Sequence, residues 1–163
     1  MDTRQTDRPH AEERIVTGFA EVSDILWRER ELLDVLLFKL DSERLLLRAG
    51  STRWLARSTH EVDLVLEQLQ LVEISRALEV DDLAAQLGLP TGATLSDIAT
   101  AAPTPWSELF HAHRAAFRTL IDEVTDLAEA NQRALLEACA ASKQNLAALE
   151  VSVRQVSVRQ VSV

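Results

Sequence analysis

The chain has 163 residues, 47% of them hydrophobic and 26% charged, which suits one packed domain and excludes global disorder. Its formal net charge of −9 argues against nucleic-acid phosphates and anionic membrane surfaces as partners, because both are held by Lys and Arg. Four Gly, four Pro and no Tyr leave too little turn punctuation for an all-β chain, while Leu and Ala, strong helix formers, dominate.

Met1 to Arg14 is polar, carries both charges and has no signal-peptide core. Residues 1–22 are expected to be a frayed leader. With one cysteine, Cys139, no internal disulfide forms, and the cytoplasm is the expected compartment. No run approaches ~18 apolar residues, so no membrane insertion is expected.

Residues 23–79 read as a helical hairpin. Asp24 to Ala49 forms the first helix, with Ser23 as its cap and an apolar stripe through Val22, Leu26, Leu33, Leu36, Leu40 and Leu47. Ile25, Leu32, Val35, Leu37 and Phe38 widen that face beyond a two-stranded seam, which calls for more than one neighbour. Gly50 stops the helix, and Ser51 or Thr52 caps the next. A connection this short folds the second helix back antiparallel. That helix runs to about Glu79 on a 3-4-3-4-3 seam of Leu55, Ser58, Val62, Val65, Leu69 and Val72. Leu64, Leu71 and Leu78 make a second stripe at heptad spacing.

Residues 80–104 are a connector. Asp81 to Leu87 reads as a short helix ended by Gly88, and Thr94-Leu95-Ser96-Asp97 as a capping box opening another through Ala101. The pair resembles a helix-turn-helix, but no Lys or Arg stands between Arg76 and Arg114, so DNA binding is not expected.

Residues 105–150 contain no Gly and, after Pro105, no Pro; they read as one helix of about 46 residues, or about 69 Å. Its stripe runs through Trp106, His113, Phe117, Leu120, Val124, Leu127 and Asn131, then Leu135, Cys139, Leu146 and Leu149. Residues 151–163, VSVRQVSVRQVSV, have a period of five that fits neither helix nor strand and read as a low-complexity tail.

The expected fold is all-α: an elongated antiparallel helical hairpin plus one long C-terminal helix, a three-helix coiled-coil-like bundle with short connector helices. If it runs up-down-up, the third helix outlasts its partners near Asn131. The stretch from Leu135 to Glu150 then projects with an apolar face uncovered, the mark of a binding site for another chain. The connector is long enough to allow the opposite direction as well. A homo-oligomer through the same stripe is the competing reading.

Sites of chemistry are sparse. Glu108 and His111 have half of a di-metal spacing without a second half, so no metal is expected, and His111 and His113 read as surface and rim histidines. Cys139 reads as a small buried hydrophobe. No phosphate loop and no nucleophile elbow occurs, so neither a cofactor nor an enzymatic activity is expected. Trp27, Trp54 and Trp106 read as packing residues at the bundle ends, and Asn131 on the seam as a residue that sets register.

Four segments in order resemble the flagellar FlgN-like family in its actinobacterial form: Leu26-Trp27-Arg28-Glu29-Arg30-Glu31-Leu32-Leu33, Arg53-Trp54-Leu55-Ala56-Arg57, Leu87-Gly88-Leu89-Pro90, and Ala128-x-x-Asn131-x-x-x-Leu135-Leu136. Ala128 stands where the family usually shows another Asn near the first. The resemblance implies a cytoplasmic type III secretion chaperone. Such a protein binds the disordered ends of the hook–filament junction proteins, FlgK and FlgL, keeps them unassembled and delivers them to the export apparatus. It implies cargo binding by the C-terminal part of the long helix, here Asn131, Leu135, Leu136, Cys139, Leu146 and Leu149.

Overall fold

The computed structural model describes the backbone of residues 7–161, and the side chains of residue 10 and of residues 12–148. The order is α1 (Asp7–Arg48), α2 (Thr52–Gln86), α3 (Leu95–Ala101) and α4 (Trp106–Val161). The all-α hairpin with a long C-terminal helix is the architecture observed.

The two sharp stops are made by glycine. Gly50 has φ of 63°, where an L side chain is strained, and its N–H donates to Leu47 O while Ser51 N–H donates to Leu46 O. Gly88, with φ of 70°, ends α2 the same way, with Leu89 N–H reaching Ala84 O at 2.9 Å. Ser51 takes the cap position of α2 without a side-chain capping bond. The capping box at α3 is present: Thr94 N–H donates to Asp97 Oδ2 at 2.7 Å, and Asp97 N–H to Thr94 Oγ1 at 3.3 Å.

Three boundaries differ from expectation. The leader is largely helix: α1 starts at Asp7, Ser23 is an interior residue, and Phe19 and Val22 lie in the core. Ile15, Phe19, Val22 and Leu26 are spaced 4-3-4, so the seam simply begins earlier. Residues 81–86 are the last turns of α2 instead of a separate helix, because Val80, Leu83 and Ala84 continue its buried face. The repeat beyond Glu150 is helical to Val161. Without Gly or Pro, nothing in it breaks the backbone pattern. Residues 1–6 and 162–163, parts of the expected leader and tail, lie outside the described residues.

The core has two parts along α1. Phe19, Val22 and Leu26 meet Val80 and Leu83 of α2, Ile98 and Ala99 of α3, and Phe110 of α4. Leu33, Leu36 and Leu40 meet Val62, Val65 and Leu69 of α2, with Phe117, Leu120, Val124 and Leu127 of α4 against them. Rising residue numbers in α1 thus match rising numbers in α4 and falling numbers in α2. The bundle runs up-down-up, and α4 lies parallel to α1. Both α2 and α4 pack directly on α1, while their own backbones stay apart. The widened face of α1 serves these two neighbours only in part, since Val35 and Phe38 remain exposed.

Candidate partner-binding site

The site is the part of α4 that leaves the bundle, and its position follows from how the preceding turns are anchored. Phe19, Trp106 and Phe110 cluster at the start of α4, with ring centroids 5.6–6.2 Å apart, and Ser107 Oγ donates to Ala99 O at 2.7 Å. One turn on, His113 is 1% exposed, so it is a core residue where a rim histidine was expected; His111 is exposed. The His113 ring meets Trp27 edge-on at 4.8 Å and Phe117 at 6.4 Å. Burial, and then the charge of Arg30, lowers its pKa, so the neutral ring is the favoured form. Trp27 and Trp54 are half-exposed and carry Arg30 and Arg53 over their faces.

The last anchor is Asn131. Its Nδ2 donates to Leu40 O at 2.8 Å and to Glu43 Oε2 at 3.0 Å, while Thr59 Oγ1 donates to Glu43 Oε1 at 2.7 Å. One carboxylate thereby ties all three long helices together. Asn131 is buried, which corrects its place among the partner-facing residues: its amide is engaged inside the chain and fixes register instead.

Beyond it the cover ends. Glu43 lies five residues before the end of α1, so α4 passes the Gly50 turn at about Leu136. Leu135 is 38% exposed and borders a shallow depression with Leu55, Ala56, Thr59 and His60 of α2. From Leu135 to Ala148 every residue is exposed, with Leu136 at 64% and Leu146 at 61%. Cys139 is exposed too, not the buried hydrophobe expected. The Leu149 side chain lies outside the described residues. Leu135, Cys139 and Leu146 follow one another at three- and four-residue multiples on one face; Leu136 sits beside it. Between Ala138 and Leu149 the one charged residue is Lys143, in a chain that is 26% charged.

Such a face offers apolar surface at helical spacing and no chemistry. Among the described residues no group of three or more His, Cys, Asp or Glu is placed to hold a metal ion, and no helix is long and apolar enough to cross a membrane.

Residues 18–158 match the family model for the FlgN protein. The chain belongs to the FlgN family. FlgN proteins are cytoplasmic export chaperones of the flagellum, not enzymes, and they bind the hook-associated junction proteins FlgK and FlgL. The matched span includes the overhang and part of the VSVRQ repeat, so both belong to the FlgN-like region. No curated protein and no solved structure matches the chain.

Sequence patterning missed three buried polar side chains: Glu29, Glu43 and His113. Glu29 lies against Arg76 of α2, Oε2 to Nε 2.8 Å, and burial is the largest influence on it, raising its pKa against the opposing charge of Arg76. Of the three, only His113 gave a signal, its place on the α4 stripe.

Proposed function

We propose that this FlgN-family chaperone holds its junction-protein cargo on the free face of α4, through Leu135, Leu136, Cys139, Leu146 and Leu149. The observation that carries the reading is the unbroken exposure of α4 from Leu135 to Ala148 on a helix anchored up to Asn131. The cargo element that fits is a terminal segment, disordered when free, that folds as an amphipathic helix against this stripe. Ordering such a segment costs ~2–5 kcal/mol, which keeps affinity moderate and release to the export apparatus easy. The four segments quoted above support the actinobacterial form of the family.

The test is titration calorimetry with a peptide copying a terminal segment of a junction protein. L136Q/L146Q, with C139S, should weaken binding at least tenfold and leave helicity unchanged. Undiminished binding by that variant overturns the assignment. A concentration-dependent dimer that the same variant dissolves, with cargo affinity untouched, would make the face a homo-oligomer interface instead.

A further inference from the structure

The second stripe of α2 is not used by the bundle or by the overhang. Leu64, Leu71, Ile74 and Leu78 are 43%, 66%, 59% and 66% exposed. On the helix they lie opposite Val62, Val65, Leu69 and Val72, which face α1. Their 7-3-4 spacing is that of a coiled-coil seam about 21 Å long. Apolar surface in such a row, on the outside of a bundle, marks an interaction site.

The surrounding charge selects the occupant. From Ser58 to Asp82 the one Lys or Arg is Arg76, and Glu29 holds it at 2.8 Å. Asp63 and Glu67 flank one end of the stripe, and Asp81 and Asp82 the other, all of them exposed. Two copies of the stripe cannot be neighbours without placing acid on acid. A parallel pair matches each end with itself, and an antiparallel pair sets Asp63 and Glu67 against Asp81 and Asp82. We propose that the outer face of α2 docks a basic amphipathic helix of another protein, one with apolar residues at heptad spacing and Lys or Arg along their flanks. This surface is separate from the cargo face of α4 and stands without it.

The probe is a labelled synthetic peptide of about three heptads, with Leu at the seam positions and Lys or Arg at the flanking ones. Like charges on its flanks keep it from pairing with itself. Fluorescence anisotropy with the full chain should show saturable binding that weakens with added salt. L71Q/L78Q should weaken it at least tenfold, with helicity by circular dichroism unchanged because both positions are exposed. L136Q/L146Q should leave it unchanged. The idea is overturned if a scrambled peptide of the same composition binds equally, or if L71Q/L78Q has no effect. A dimer of the free protein that L71Q/L78Q dissolves would also overturn it, by making a second copy the occupant. Loss of peptide binding in L136Q/L146Q alone would assign the peptide to the cargo face and sink this surface too.

Discussion

Asn131 and Glu43 meet at 3.0 Å across the α1–α4 interface, in the last turns before α4 passes the Gly50 reversal. Both side chains are buried, and the carboxylate is shared with Thr59 of α2. Asn131→Ala leaves the Leu40 carbonyl and one Glu43 oxygen without that donor. The expected loss is about 1–3 kcal/mol in urea unfolding, the cost of unsatisfied buried groups. Asn131→Asp sets a second carboxylate against Glu43 and should lose more. Equal stability of all three proteins would show that register is set elsewhere.

Glu29 and Arg76 give a second stability test. Removing one member of a buried ion pair typically costs ~3–5 kcal/mol. Arg76 is a third exposed, so water compensates in part, and Arg76→Met should lose about 2 kcal/mol. Glu29→Gln in the same protein should recover most of that loss, because the unpaired charge is gone.

His113 and Glu29 pull the pH dependence in opposite directions. Burial lowers the His113 pKa, so the folded chain resists protonating it. Its contribution is complete above the ordinary value of 6.5 and is lost as pH falls from there through the lowered folded value. Burial raises the Glu29 pKa, so its contribution is complete below the ordinary 4.5 and is lost as pH rises through the raised value. Urea midpoints between pH 4.5 and 7.5 separate the two. His113→Leu should remove stability gained with rising pH near neutrality, and Glu29→Gln should remove stability lost with rising pH on the acidic side.

Apart from Gly50 itself and its two chain neighbours, nothing lies within 4 Å of where a Cβ would stand, so Gly50→Ala meets no tertiary clash and isolates backbone strain. At φ of 63° the cost should be about 1 kcal/mol. Cargo affinity should not change.

Ending the chain after Glu137 removes a stretch whose described side chains, Ala138 to Ala148, are all exposed. Unfolding free energy should shift by no more than about 0.5 kcal/mol, the scale of surface changes. Binding of the junction-protein peptide should vanish. A large loss of stability would show that the overhang supports the bundle.

Helix existence, the Gly50 reversal, the α3 capping box and the free end of α4 were all legible in the residues, because each rests on local chemistry or on length. The direction of α4 was not: the connector allowed either, and the pairing of Phe110 with Phe19 decides it. Ile15 and Phe19 were hidden behind a polar start and Gly18, although their spacing continues the seam that Val22 and Leu26 begin in the sequence. Glu29 and Glu43 could not be placed from hydropathy, since a carboxylate is buried only when a partner on another helix meets it, whereas Asn131 was marked by its place on the α4 seam. Nor could any pattern tell that Leu64, Leu71 and Leu78 stay uncovered while Val62, Val65 and Leu69 do not.

No Gly or Pro interrupts α4 between Trp106 and Val161, so its free end inherits its bearing from the turns that are clamped. A helix rotates ~100° per residue. One residue inserted just after Asn131 would swing the leucines to another quarter of the compass with the clamp intact. Seven would bring them back to within ~20° and merely carry them ~10 Å outward. What the clamped half hands to its extension is aim.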